Sequence, residues 1–251
     1  MARAAAIDTL GVLDRMTAIL EAFDQDDRGL GISELAMRAG LPKSTVSRLV
    51  TTLVRQSYLE RDGRRIHLGL RVFELGQLAA QPRDLRAAAM PVMAELRHAT
   101  HETVHLAIRD RHEMVCIAVL RARPGTPTSA RTGGRLPIHA TALGKAVLAY
   151  ASASVIDEIL SSGLEARTSQ SITDPAVLRR QLGAIRQGGL ALDVEEFAPG
   201  VACAARAVFA PSGALVAALS VSGNADGFEP ARFEPAIRVA ALSLANRLAP
   251  G

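Results

Sequence analysis

A tight Gly40-Leu41-Pro42 turn separates two short runs of helical spacing, and the hairpin dipeptide Asp62-Gly63 follows close behind. Few small folds accept that order of helix, turn, helix and hairpin. Residues 33–39 read as a short helix with Ser33 as its N-cap, and Gly40 suits the position after the helix because it takes positive φ without strain. Pro42 sits at the first turn of the next helix, where a missing N–H costs little. In that second helix Val46, Leu49, Val50, Leu53 and Val54 recur at i, i+3, i+4, i+7 and i+8, which turns one face inward. Residues 58–61 and 65–68 read as two strands joined at Asp62-Gly63. The pattern predicts a winged helix-turn-helix over residues 32–70, whose second helix fits a DNA major groove.

Charge follows the same boundary. From Met1 to Met37 there are three Arg against seven acidic residues, a net charge of about −4, whereas 38–71 carries eight basic residues against Glu60 and Asp62, about +6. With the apolar face turned inward, Lys43, Ser44, Thr45, Ser47, Arg48 and Thr51 remain on the outer side, crowded toward the N-terminal end that enters a groove. Hydroxyls there suit phosphates or base edges, and Arg48 fits a bidentate pair with guanine. Arg61, Arg64 and Arg65 on the hairpin reach the flanking backbone. A lone helix of this kind reads as an amphipathic helix with a solvated polar face. The capped first helix, the glycine turn, the hydroxyl-and-Arg face and the basic hairpin together point to double-stranded DNA.

At 251 residues the chain suggests two domains, and 49% hydrophobic with 22% charged residues is the balance of a folded protein. The division expected is a DNA-binding domain over 1–70, a linker helix over 71–81 and a second domain over 82–251. Ahead of the motif, residues 7–23 read as an amphipathic helix. Behind it, 69–80 resumes helical spacing and 84–100 reads as a helix kinked or restarted at Pro91. Strands are expected at 103–108, 114–120, 190–195, 203–209 and 214–221, and helices at 141–150, 155–160, 175–188 (capped by Asp174) and 229–248. Residues 122–135 read as a loop. Strands and helices segregate without regular βαβ alternation, so the fold class is α+β with a mainly antiparallel sheet flanked by helices.

Several functions fit poorly. No apolar run approaches the roughly 18 residues of a membrane span, and no basic region followed by an apolar stretch opens the chain, which points to a soluble, cytoplasmic protein with no membrane partner. Cys116 and Cys203 make no disulfide framework, and Cys116 reads as core. The run Ala142-Leu143-Gly144-Lys145-Ala146 ends like a phosphate-binding loop, yet Ala146 replaces the magnesium-binding hydroxyl and His139 stands where a glycine is needed. His98, His101 and His105 lack the partners that would complete a metal site. Asp193, Glu195 and Glu196 read as solvated acids near a strand end, with no nucleophile motif. Neither an enzyme nor a cofactor is expected.

The stretch 40–49, GLPKSTVSRL, resembles the recognition helix of the isocitrate-lyase-regulator (IclR) family of bacterial transcription factors. Residues 136–146, LPIHATALGKA, are similar to that family's effector-domain signature, and 193–203, DVEEFAPGVAC, with 218–223, ALSVSG, resemble the rest, in order and over nearly the whole chain. The resemblance implies a GAF-like C-terminal domain that binds a small organic or aromatic acid, and a homodimer or dimer of dimers that acts as a repressor or an activator. It carries effector contacts to Ala142, Leu143, Asp193, Cys203, Ser220 and Ser222. Leu143 is larger than the residue some members carry there, which bears on ligand size. The chemistry is sensible: Ser220 and Ser222 are two apart on a strand and face the same side, where two hydroxyls suit a carboxylate, and the Ala142 and Leu143 amides add donors. Asp193 would repel an anion unless protonated or bonded to a ligand hydroxyl. The rival reading is a small-molecule or enzymatic GAF-like module whose N-terminal domain binds protein.

Overall fold

The computed structural model describes residues 11–24, 27–123 and 130–248. The chain falls into two compact units, Met1–Ala80 and Gln81–Gly251, and each is taken by itself. In the first, α1 (Val12–Glu21), α2 (Ile32–Arg38) and α3 (Lys43–Arg55) are followed by a hairpin of β1 (Leu59–Asp62) and β2 (Arg65–Leu68), then α4 (Leu70–Gln77). Residues 7–10 of the expected first helix lie outside the described residues. Ile19, Leu35, Val46, Val50, Leu59 and Ile66 come together in one aliphatic core, so the helical and strand periodicities converge on a single interior.

Two local expectations are corrected. Ser33 does not cap α2: Gly31 holds that position in an extended conformation, with no side-chain cap. The reason is tertiary, because Leu30 exchanges both backbone hydrogen bonds with Ile66 of β2, each 2.9 Å, and the helix starts as soon as the chain leaves that bridge. Gly40 takes φ +65° as expected, and Leu41 N–H donates to Ala36 O at 3.0 Å, closing the turn. The second correction concerns the restart allowed at Pro91: the helix, expected with Pro91 inside it, runs without a break as α5 from Ala80 to Thr100. Pro91 lies on the exposed side, where water can satisfy the carbonyl its ring leaves unbonded.

The second unit is built on one antiparallel sheet of β3 (Thr103–Asp110), β4 (Glu113–Leu120), β5 (Arg135–Pro137), β6 (Ala191–Val194), β7 (Val201–Phe209) and β8 (Leu215–Asn224), in the order β5-β4-β3-β8-β7-β6. This meets the expected α+β class. Strand β5, which begins at Arg135, the last residue of the segment read as loop, and to which no strand was assigned, forms by pairing with β4 at Val115, Met114 and Glu113. Helices α6 (Ala142–Leu148), α7 (Ala153–Ser161), α8 (Pro175–Gly188) and α9 (Pro230–Arg247) complete the unit. Alternation along each strand sends Val104, Leu106, Leu219 and Val221 to a core shared with α5 and α9. The other face, with Ala107, Ala191, Ala205 and Ala218, meets α6, α7 and α8. The small side chains on that second face let a helix approach closely.

Candidate functional site

On the helix-turn-helix, Val46, Val50 and Leu53 are buried while Lys43, Ser44, Ser47 and Arg48 are exposed and Thr45 is half-buried. Thr51 donates its hydroxyl back to Ser47 O at 3.0 Å, so that hydroxyl hydrogen serves the helix. Arg61, Arg64 and Arg65 are exposed on the hairpin, but Arg65 donates to Gly29 O at 2.8 Å and is partly tied to its own unit. Arg38, counted with the basic segment, pairs instead with Asp27 and Glu34, both at 2.8 Å. Its charge is therefore spent within the acidic segment, and the hairpin and α3 hold the basic surface.

The other site is a cavity of about 300 Å³, including space open to solvent, lined by His105, Ala130, Leu136, Thr141, Ala142, Leu143, Asp193, Phe197, Cys203 and Ser220. Strand register explains its polar floor. Across β3, β8, β7 and β6 one row reads Thr103, Ser222, Cys203, Asp193, and the next row on the same face reads His105, Ser220, Ala205, Ala191. Polar residues two apart on neighbouring strands are thus stacked into one patch.

Helix α6 closes the patch. Thr141 caps it, accepting from Gly144 N–H at 3.1 Å and donating to Pro137 O at 2.9 Å. A Cβ at Gly144 would overlap the Ile138 carbonyl, so only glycine lets β5 turn this tightly onto α6. All seven residues of the helix are buried, Lys145 included. Lys145 Nζ donates to Glu196 Oε1 at 2.5 Å and to Gln181 Oε1 at 3.1 Å. The expectation that Asp193 and Glu196 are solvated is overturned, since they are 3% and 7% exposed; only Glu195 of the three stays half-exposed. The buried Lys145 supplies the partner that an isolated acid would lack.

Asp193 Oδ1 accepts from Glu196 N–H at 2.8 Å and Phe197 N–H at 3.4 Å. Thr168 and Ser171 donate to Glu196 O at 3.3 and 2.6 Å, which fixes the turn after β6. Burial raises the Asp193 carboxyl to about 6 against the lowering pull of its amide donors, with the Glu196 charge adding to the rise. Burial lowers His105 to about 4, aided by the Arg121 charge, so its ring is neutral at physiological pH. Burial pushes the Cys203 thiol well up, and the Asp193 charge adds to it; it stays protonated and is no nucleophile. Cys116, wholly buried, is likewise pushed up to about 12.

The Ser220 hydroxyl is 1% exposed at residue level and has no hydrogen-bond partner among the described residues. Of the expected contacts, Ala142, Leu143, Asp193, Cys203 and Ser220 line the cavity together, whereas Ser222 faces Cys203 across the β7–β8 ladder beside it. Sequence reasoning missed His105, Ala130, Leu136, Thr141 and Phe197. Leu136, Thr141 and Phe197 lie inside the quoted signature stretches, a signal within reach, and His105 was weighed only as a metal ligand. His98 and His101 are exposed, and no group of three or more His, Cys, Asp or Glu among the described residues is placed to hold a metal. No helix among those residues is long and apolar enough to cross a membrane.

Comparison with known proteins covers both units. The IclR helix-turn-helix domain model matches residues 12–63, and the model for the bacterial transcriptional regulator IclR C-terminal region matches 77–247. The transcriptional repressor IclR of Escherichia coli is 34% identical over 228 residues, 89% of this chain and 83% of that protein. The HTH-type transcriptional repressor AllR of Klebsiella pneumoniae is 34% identical over 224 residues, 88% of this chain and 82% of that one. Among solved structures, an IclR homolog from Microbacterium hydrocarbonoxydans complexed with 4-hydroxybenzoate superposes with a TM-score of 0.86 at 29% identity, covering 95% of this chain and 99% of the other. Thermotoga maritima IclR gives 0.77 at 27% identity, covering 94% and 98%. These relatives are regulators and not enzymes, and with both of its units matched the chain belongs to the IclR family of bacterial transcriptional regulators.

Proposed function

We propose that the chain is a repressor whose grip on an operator is modulated by a small organic or aromatic acid bound in the cavity under α6. The observation that carries this reading is Ser220: a buried hydroxyl without a hydrogen-bond partner among the described residues, on the wall of a cavity, is a group waiting for a ligand atom. Ala142, Leu143, Asp193 and Cys203 share its wall, with Ser222 next in line on β8. A structural neighbour holding 4-hydroxybenzoate supports an aromatic acid as the class to try. Lys43, Ser44, Thr45, Ser47 and Arg48 form the base- and phosphate-contacting face, with Arg61, Arg64 and Arg65 on the flanking backbone. A single recognition helix reads few base pairs, so the protein works as a homodimer or dimer of dimers on a pseudo-palindrome. Effector binding then shifts the population between states whose reading helices fit the operator well or badly.

The test is a gel shift on the chain's own upstream DNA, with and without 4-hydroxybenzoate and related acids. The double variant Ser220→Ala, Ser222→Ala keeps operator affinity and loses the ligand response; an unchanged response removes the pocket assignment. Arg48→Ala relaxes sequence preference, losing about 1–3 kcal/mol of discrimination at one position. Unchanged selected sequences would remove Arg48 from base reading.

A further inference from the structure

Among the described residues, the wall of the cavity under α6 carries one carboxyl group, that of Asp193. Among the described residues on its wall none is Arg or Lys. Among the described residues, the charged and titratable groups that bear on Asp193 and on the wall come from several elements. From α6, Lys145 is the nearest cation, but it is wholly buried and held by Glu196 and Gln181. In the turn after β6, Glu196 adds negative charge, and Glu195 turns its carboxylate to Gly200 N–H at 2.7 Å. Cys203 on β7 is a protonated thiol. His105 on β3 is neutral, and Arg121, whose charge is felt by His105, is not part of the wall. Ser220 and Ser222 on β8 bring hydroxyls only.

An organic acid entering such a cavity brings a second carboxylate against Asp193. Two carboxylates that share a site out of water do not both stay ionised; one proton between them turns the repulsion into a short, charge-assisted O–H···O⁻ bond. The wall is built to use it. Both amide donors fall on Oδ1, so Oδ2 is the atom left to carry a proton toward the ligand, and the Ser220 hydroxyl stands ready to donate to the same anion.

Resting on the effector reading above, we propose that this regulator takes up its anionic effector together with one proton from solvent, held on Asp193 between protein and ligand carboxylates. The balance is simple: ionised Asp193, ionised ligand and one solvent proton become one carboxyl–carboxylate pair of net charge −1. Effector affinity is therefore tied to pH. It is strongest where Asp193 in the empty cavity is already protonated and falls about tenfold per pH unit above that point. Binding also consumes a proton from the medium on the alkaline side.

The experiment is calorimetric titration of the full chain with 4-hydroxybenzoate, benzoate and a series of two- to four-carbon carboxylates, from pH 5.5 to 8. Each pH is run in two buffers of different ionisation enthalpy, which counts the protons taken up. The uncharged 4-hydroxybenzyl alcohol is the control. The expected result is uptake approaching one proton per bound acid at pH 8 and falling toward zero at pH 5.5, with affinity about thirtyfold weaker at pH 8 than at pH 6.5 and no such slope for the alcohol. Asp193→Asn, whose amide oxygen still accepts the two backbone N–H bonds, binds acids with a flat pH profile. The wild-type profile alone decides the matter if that variant folds poorly. Acids bound equally well across the range without proton uptake, or an alcohol showing the same slope, overturn proton linkage and leave the effector reading standing. If none of these acids binds at any pH, the organic-acid reading falls and proton linkage falls with it.

Discussion

The outer face of α3 and the polar wall under α6 use much the same residue types to opposite ends. On α3, Lys43, Ser44, Ser47 and Arg48 stand in water on one helix, adjacent in sequence and free to find a phosphate or base edge. Under α6, Lys145, Asp193, Glu196, His105 and Ser220 are buried and drawn from β3, α6, β6, β8 and the turn after β6. Charges in water cost little and contribute little until a polyanion arrives. Charges and hydroxyls out of water must be matched one by one, and each mismatch is felt as stability, pKa or affinity. On the proposed reading, the α3 face can tolerate substitution in its fold and lose only binding, whereas the wall under α6 cannot separate the two.

That contrast predicts a ranking. The largest effect is expected from Lys145→Met, which leaves Glu196 charged and buried without its partner and should lower unfolding free energy by about 3–5 kcal/mol, read as a shifted denaturant midpoint. Lys43→Met on α3 should leave that midpoint in place. If the two substitutions behaved alike, burial would not be the distinction between the regions. Replacing both Lys145 and Glu196 with apolar residues should recover most of the loss.

Next come the two titrating groups, with opposite signs. His105 has a folded pKa of about 4 against 6.5 for the free group. The unfolded chain binds the extra proton in that window, so stability is full above pH 6.5 and lost as pH falls toward 4, by about 3 kcal/mol. Asp193 moves from 3.8 to about 6. Here the folded state holds the proton longer, so a burial penalty is absent below pH 3.8, grows as pH rises to 6 and is full above it. Asp193→Asn should stabilise the protein at pH 7.5 by up to about 3 kcal/mol and give nothing below pH 4. Melting curves of His105→Gln and Asp193→Asn across pH 4 to 8 would show the two slopes separately. Equal shifts at every pH would mean that titration is not their cause.

Two glycines sharpen the contrast at smaller scale. Gly144→Ala drives a Cβ into the Ile138 backbone and should cost about 3 kcal/mol. Gly40→Ala meets no atom within 4 Å and carries only the left-handed strain of φ +65°, about 1 kcal/mol. Smallest of all, Arg64→Ala should leave melting unchanged, weaken binding uniformly across DNA sequences and reduce the salt slope by about one.

The same contrast governs what could be read from the sequence. The α3 face was legible because a surface helix writes its pattern in neighbouring residues, and α8 was legible to its cap because Asp174 accepts from Ala176 N–H at 2.7 Å, two positions on. Where a distant contact decides, local reading failed: Ser33 loses the cap to Gly31 because Leu30 is bridged to Ile66, and β5 is a strand only through β4. The pocket shows this most clearly. Ser220 and Ser222 share a face by strand geometry alone, but that Asp193 lies in the Ser222 row and His105 beside Ser220 depends on register across four strands. The burial of Glu196 depends on Lys145, 51 positions earlier in the chain.

Helix α6 has no solvent side. A helix enclosed on every face cannot turn about its axis to admit a guest without pushing buried side chains into one another, so it behaves as a fixed lintel over the cavity. Of the other wall residues, Phe197 lies in the turn after β6 and is half-buried, outside any helix. On the proposed reading, occupancy of the cavity would be registered by the strand and turn residues around this helix and not by its rotation.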